Sequence, residues 1–195
     1  MKDFLFIKPH KTGTRSIRTS LQKYTCNEYG IKFKDCGKFL SSDWRKGHRT
    51  FLDYKKLFAD HISDTAIIFM SIRNPWDRLV SWFFDTKKRR PHFLLNSSID
   101  FASSVKSEPI MLNLRSLSEF SYGANSNRIH YIRLENIQLD FNIVCDKIGI
   151  PNQQLDCYNQ TNHKHYTEYY DDETRAIIAE KYARDIEYFG YKFGE

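Results

Sequence analysis

No apolar run in this sequence is long. The longest uninterrupted one, Ala66 to Met70, falls far short of the roughly 20 residues a helix needs to cross a bilayer, so no integral membrane segment is expected. The N-terminal run Phe4-Leu5-Phe6-Ile7 is likewise too short for the apolar heart of a secretory signal, and the expected location is cytoplasmic. Cysteine is scarce. Cys26, Cys36, Cys145 and Cys157 form no C-x-x-C pair, and a chain able to bury a core without staples is expected to keep its thiols free. Without a secretory signal, the glycosylation-type triplets Asn96-Ser97-Ser98 and Asn159-Gln160-Thr161 read as chance matches. Repeats, low-complexity tracts and Gly/Ser-rich linkers are missing, which makes residues 1–195 a single expected domain of ordinary size. Acidic residues are outnumbered, 24 Asp and Glu against 30 Lys and Arg, for a net charge of +6. That balance favours an anionic partner, whether nucleic acid, nucleotide, acidic glycan or membrane surface, and does not choose among them.

What the chain does have is core material: 41% hydrophobic residues and 15% aromatic ones, which excludes disordered and fibrous classes. Phe4 to Ile7 reads as a short strand, followed by Pro9 and Gly13 and then by Ile17, Leu21 and Tyr24 at helical spacing. The unit recurs. Thr65 to Ile72 is apolar through its middle rather than alternating, as in a parallel strand covered on both faces. Asn74-Pro75 then supplies a cap with proline at the first helical position, and Leu79, Val80, Trp82 and Phe83 continue an apolar face. Arg128 to Arg133 is a third strand candidate, and Phe141, Val144, Cys145 and Ile148 mark a helix stopped by Gly149 and Pro151. A last helix, capped by Asp171 or Asp172, carries Ile178, Tyr182, Ile186 and Phe189 along one face. Alternating strands and helices predict a three-layer α/β fold with a mainly parallel central sheet and flanking helices. Residues 85–127 and 152–170 read as polar and irregular, and functional loops are expected there or at strand ends.

The first strand runs into Lys8-Pro9-His10-Lys11-Thr12-Gly13-Thr14-Arg15-Ser16 and then a helix. A helix N-terminus attracts anions through its unpaired amides, a glycine lets backbone approach a phosphate, and hydroxyls and cations complete the cradle. The loop is not G-x-x-x-x-G-K-[ST]: Lys11 precedes Gly13 and no second glycine lies upstream, which demotes a kinase or ATPase. A second motif runs from Ser71 to Trp82. Arg73 stands at the carboxyl end of the second strand and Ser81 two turns into the next helix, and a guanidinium paired with a hydroxyl can hold a phosphate dianion. Two anion sites imply one ligand with two phosphate-like ends. Asp77 reads as an ordinary helix-surface charge, Arg78 fits either surface or site, and Trp76, Trp82 and Phe83 read as core.

Lys11-Thr12-Gly13-Thr14-Arg15-Ser16 after a strand resembles the 5′-phosphosulfate loop of sulfotransferases, and Arg73 with Ser81 eight residues on resembles their 3′-phosphate motif. Tyr131 to Ile137 and the block from Tyr169 to Tyr191 resemble the later strand and the C-terminal helix of the carbohydrate and bacterial branch. The resemblance implies a P-loop-NTPase-like sulfotransferase fold and transfer of a sulfuryl group from 3′-phosphoadenosine 5′-phosphosulfate (PAPS) to a hydroxyl or amine, releasing 3′-phosphoadenosine 5′-phosphate (PAP). It further implies that Lys11 meets the bridging oxygen of the leaving phosphate. Thr12, Gly13, Thr14, Arg15 and Ser16 then hold the 5′-phosphate, and Arg73 and Ser81 the 3′-phosphate. A fixed ammonium where charge develops stabilises the transition state more than the ground state.

Lys46 to Tyr54 resembles the segment that carries the histidine base of uronyl 2-O-sulfotransferases, which makes His48 the expected base and a carbohydrate one expected acceptor. An imidazole suits proton removal near neutrality. His10 sits where related loops often carry proline and is a rival. Arg15 replaces a commoner threonine. Asn159, His163 and His165 lie in a loop like those that reach back over the nucleotide, and read equally well as an exposed linker. Lys87-Lys88-Arg89-Arg90 suggests a greeting surface for an acidic glycan or anionic lipid, against the plainer reading of a solvated face. Residues 85–127 are expected to form an acceptor-side insertion or lid. No carboxylate cluster for Mg²⁺ and no zinc spacing of histidines is visible, so no metal is expected.

Two other readings stand beside this one. A P-loop-type nucleotide kinase is motivated by the phosphate loop and opposed by the missing Walker lysine. A noncatalytic module binding anions or nucleic acid is motivated by the net charge of +6. It is opposed by the lack of any helix-turn-helix, zinc-finger or aromatic signature, so no nucleic-acid partner is expected.

Overall fold

The computed structural model describes residues 1–24, 31–32, 48–58, 62, 64–94, 96–107, 109–156 and 163–195. In chain order its elements are β1 (Phe4–Ile7), α1 (Thr14–Leu21), β2 (Ile31–Lys32), α2 (Phe51–Phe58), β3 (Ile67–Ile72), α3 (Pro75–Arg89), α4 (Phe101–Ser107), α5 (Pro109–Leu112), α6 (Leu117–Ser121), β4 (Ile129–Arg133), α7 (Ile137–Ile148), α8 (Asp172–Lys181) and α9 (Ala183–Phe189). They divide into two compact units, one of Met1–Ile72 with Glu119–Tyr158, the other of Arg73–Ser118 with Asn159–Glu195.

The first unit holds the sheet, in the order β2-β1-β3-β4. β1, β3 and β4 are parallel, with Phe6 opposite Phe69 and Ile72 opposite Arg133, and β2 runs antiparallel at the edge of β1. The α/β class and the mainly parallel sheet are therefore as predicted. Both faces are buried, as unbroken apolar strands require. Phe4, Phe6, Phe69 and Ile132 pack with Ile17 and Leu21 of α1 and with Phe141, Val144, Cys145 and Ile148 of α7. Leu5, Ile7, Ile68, Met70 and Ile72, of the opposite parity, are at most 1% exposed. α7 ends where the sequence predicts: Gly149 takes φ +77°, and the Ile150 amide reaches back to the Cys145 carbonyl at 3.0 Å. Burial pushes the Cys145 thiol up from its ordinary pKa, which leaves it a protonated core residue. Cys26, Cys36 and Cys157 lie outside the described residues.

The second unit is helical and builds its core on α3. The Asn74 side chain accepts the Trp76 amide at 3.1 Å, while Pro75 needs no hydrogen-bond partner at the first position. Trp76, Leu79, Val80, Trp82 and Phe83 are buried, as expected of core, and pack with Phe101, Val105, Met111, Leu114, Tyr166, Ile178 and Tyr182. Residues 85–127 are far more regular than their polarity suggests. They contain the last turn of α3, then α4, α5 and α6, with Leu94, Phe101, Val105, Met111, Leu114 and Leu117 buried, and their final residues, 119–127, belong to the first unit. The predicted last helix is two helices. It breaks at Tyr182, where φ is −108° and ψ 24°, and the Tyr182 hydroxyl donates to the Leu114 carbonyl at 2.7 Å. Asp171, not Asp172, is the cap, exchanging reciprocal bonds with Thr174. Asp185 is fully buried on α9 and accepts the amides of Leu117 and Ser118, which satisfies the first turn of α6 from a distant part of the chain.

Candidate active site

β1 and β3 deliver their ends at the same edge of the sheet, since Ile7 lies opposite Met70 in a parallel pair. The loop leaving β1 is tightly built. Thr12 is fully buried, and its hydroxyl donates to the Pro9 carbonyl at 3.0 Å. Having given its one proton there, it accepts from the Ser71 hydroxyl of β3 at 2.7 Å. The Thr12 side chain thus ties the loop to the middle of the sheet. Lys11 sits at φ +63°, the one non-glycine residue at positive φ among those described, a conformation that costs an L-residue about 1–2 kcal/mol. Gly13 follows at φ +72° and occupies the N-cap of α1 without a side-chain capping bond. A methyl group on Gly13 would come within 2.6 Å of Leu134 Cδ1 and 3.0 Å of Ile137 Cδ1, so backbone passes close to side chains that a larger residue would hit. The first turn of α1 holds no acid and carries Thr14, the exposed Arg15 and the buried Ser16. The amides of α1, the glycine and the basic residues meet the chemical needs of a phosphate group.

His48 comes to this loop from another part of the chain. Its Nδ1 lies 2.6 Å from the Lys8 carbonyl oxygen, and its ring stacks on that of His10, with centroids 3.4 Å apart and planes at 28°. Just beyond, Thr50 and Asp53 cap α2 reciprocally: the Thr50 amide donates to Asp53 Oδ2 at 2.9 Å and the Asp53 amide to Thr50 Oγ1 at 3.2 Å. Beside the loop, a groove of about 470 Å³ runs along the Ser16, Thr19 and Ser20 face of α1, with Gln153, Gln154 and Asp156 opposite.

In the second unit, Arg73 follows β3 directly and its guanidinium is held by Asp77, Nε to Oδ2 at 2.7 Å and Nη2 to Oδ1 at 2.8 Å. This corrects the reading of Asp77 as an ordinary surface charge: both side chains are largely covered, at 13% and 22% exposure. The four-residue spacing that brings a charge pair together on a helical path was the available signal. Ser81 is buried on α3. Arg78 is almost wholly buried, with Nη1 donating to the Arg115 carbonyl at 2.8 Å, which places its guanidinium in internal packing. The basic run at the end of α3 stays at the surface, with Lys88 and Arg89 exposed, and three of its members make intramolecular contacts. Lys87 Nζ donates to the Ile99 carbonyl at 2.9 Å, and Arg89 and Arg90 pair with Asp85 at 3.1 and 4.0 Å. His163 stacks on Phe84 at 5.3 Å, and His165 Nδ1 meets Thr167 Oγ1 at 2.7 Å. Asn159 lies outside the described residues. No group of three or more His, Cys, Asp or Glu placed to hold a metal occurs among the described residues, and no helix among them is long and apolar enough to cross a membrane.

No curated protein and no solved structure matches the chain. A family model does, over residues 10–192, a stretch that begins within the β1–α1 loop and runs through both units almost to the last residue. With nearly the whole chain covered, the protein belongs to the sulfotransferase family.

Proposed function

We propose that this sulfotransferase takes its sulfuryl group from PAPS and passes it to a hydroxyl or amine, with a carbohydrate of the uronyl type as the acceptor class the His48 segment favours. The observation that carries the proposal is the β1–α1 loop: Gly13 at φ +72° opens α1 without a capping side chain, next to Lys11, Arg15 and His48. When bound, PAPS supplies an activated sulfuryl group whose bridging oxygen leaves as phosphate. Lys11 holds its ammonium against that oxygen, where negative charge builds as the bond breaks. Amides of Gly13 and the first turn of α1, with Thr14, Arg15 and Ser16, bind the 5′-phosphate. The Thr12 side chain keeps the loop in shape, and its amide remains part of the cradle. Arg73 and Ser81 take the 3′-phosphate. His48 accepts the acceptor's proton as the new oxygen–sulfur bond forms and the old sulfur–oxygen bond breaks, so PAP leaves with the electron pair and the imidazole with the proton. In this reading residues 1–195 are one sulfotransferase domain, residues 85–127 are its acceptor-side insertion or lid, and the protein works in the cytoplasm.

Thermal denaturation with PAP, with ADP and with ATP plus Mg²⁺ at equal concentrations tests the donor. A ligand at about 100 times its dissociation constant adds about 2.7 kcal/mol, several degrees for a chain of this size. The expected result is a shift with PAP well above that with ADP. Equal shifts with PAP and ADP sink the 3′-phosphate site, and a preference for ATP with Mg²⁺ turns the reading toward a kinase.

A further inference from the structure

The two imidazoles beside the loop do different work, and their geometry says which. A carbonyl oxygen only accepts, so the 2.6 Å contact between His48 Nδ1 and the Lys8 carbonyl places a proton on Nδ1. Neutral His48 then carries its lone pair on Nε2. This is the opposite of the tautomer that an imidazole in water prefers, so something must hold the ring where the carbonyl can reach it. His48 is exposed, so the hold has to come from the groups that lie against its ring. His10 provides one: its ring centroid lies 3.4 Å from that of His48 with the planes at 28°, inside the ~4.5–7 Å at which aromatic pairs usually sit. Lys8 and His10 are two residues apart at the end of β1, whose residues Phe4 to Ile7 are fully buried. Pro9 between them is buried too, and its carbonyl is tied by Thr12. Carbonyl and stacking ring are therefore presented together by one rigid stretch of backbone.

We propose that His10 is a positioning residue that clamps the His48 ring against the Lys8 carbonyl, fixing the Nδ1–H tautomer so that Nε2 is the atom that receives the acceptor's proton. The proposal rests on the reading of His48 as the base. The Lys8 carbonyl has a second effect: as Nε2 takes up a proton, the ring becomes cationic and the Nδ1–H···O bond becomes charge-assisted and stronger. His10 itself exchanges no proton in this scheme. Any flat ring at position 10 serves.

Long-range proton–nitrogen spectra of the nitrogen-labelled full chain test this, with the His48 signals identified by their loss in His48→Gln. The expected wild-type pattern is a protonated Nδ1 and an unprotonated Nε2. His10→Ala should move both His48 nitrogens toward the values of a ring in free exchange between tautomers, and His10→Phe should restore the wild-type pattern. His10→Leu, which keeps bulk without a ring, covers the case in which the alanine variant fails to fold and should behave as alanine does. A wild-type His48 protonated on Nε2 overturns the proposal, and so do unchanged His48 signals in His10→Ala or His10→Leu. PAPS turnover of wild type and of His48→Gln separates the two levels. Undiminished turnover in His48→Gln defeats the base reading, whereas turnover lost in His48→Gln together with the wrong wild-type tautomer defeats only the clamp.

Discussion

The guanidinium of Arg73 lies edge-on to the carboxylate of Asp77, joined by two bonds of 2.7 and 2.8 Å. Two of its five donors are thereby fixed, and with them the plane in which the rest point. Arg73→Ala is expected to weaken PAP binding by about 10- to 100-fold, the equivalent of the ~1.5–3 kcal/mol of a charged hydrogen bond. Arg73→Lys keeps the charge without the fork and should recover only part of that loss. Titration calorimetry with PAP reads both, and an unchanged dissociation constant in Arg73→Ala removes Arg73 from the donor site.

Lys11 gives a test in which stability and activity part company. Lys11→Ala and Lys11→Gly both lose the ammonium and, if Lys11 acts as proposed on charge that develops in the reaction, should both lose PAPS turnover while keeping most of their affinity for PAP. The two should differ in stability. At φ +63° glycine is at ease and alanine is not, so the glycine variant should be the more stable by about 1 kcal/mol. Denaturant melts of the two variants side by side decide it, and equal midpoints would contradict the left-handed backbone at this position.

Gly13→Ala should be costly for two reasons that can be told apart. The backbone at φ +72° is strained for alanine, and the new methyl meets Leu134 at 2.6 Å and Ile137 at 3.0 Å. A loss of about 2 kcal/mol or more is expected from the sum of strain and overpacking. Leu134→Ala in the same chain removes the nearer obstacle and should cost less there than it does in the wild-type background. Strictly additive losses would show that the close approach is absent.

Acid titration of stability should show one carboxylate clearly. Asp171 is held down from 3.8 to about 2 by the Thr174 hydroxyl and amide, then by Lys106. The unfolded chain takes up this proton first as the pH falls. Its contribution to stability is therefore complete above about pH 4 and is lost between about 4 and 2. In Asp171→Asn the melting temperature should fall less steeply over that window than in wild type. Identical slopes would mean that the cap does not titrate as the bonds to Thr174 require.

Much of the fold is written in local signals. Asn74-Pro75 opens α3, Gly149 closes α7, and unbroken apolar runs place β1 and β3, because caps and periodicity act over a few residues. What escapes such reading is non-local. The bond between Thr12 and Ser71 joins residues 59 apart, so the sequence shows Thr12 as one more phosphate-loop hydroxyl and hides its use as a tether. Arg78 carries a charge among the apolar residues Trp76, Leu79 and Trp82, yet its guanidinium is held inside by the Arg115 carbonyl, which no spacing announces. Residues 85–127 look irregular because short helices bury one or two residues per turn, and serines fill the gaps. His48 is a candidate through its neighbours Lys46 to Tyr54, but the ring that stacks on it, His10, comes from within the first motif, far back along the chain.

Asn74, which opens α3, donates its side-chain amide to the carbonyl of Lys192, 118 residues further along the chain. Tyr166 similarly reaches the Glu195 carbonyl at 3.1 Å. During synthesis, then, the helix that follows β3 can cap its first turn locally through Asn74 and Trp76, but the bond that ties this cap to Lys192 waits for 118 more residues. Until residues 166–182 arrive, its apolar face of Trp76, Leu79 and Phe83 has only early partners such as Phe101 to hide against. Contacts of such long sequence separation close slowly, and exposed apolar faces are what chaperones recognise. The cover over this face is therefore complete only once Tyr166, Ile178 and Tyr182 have been added to it.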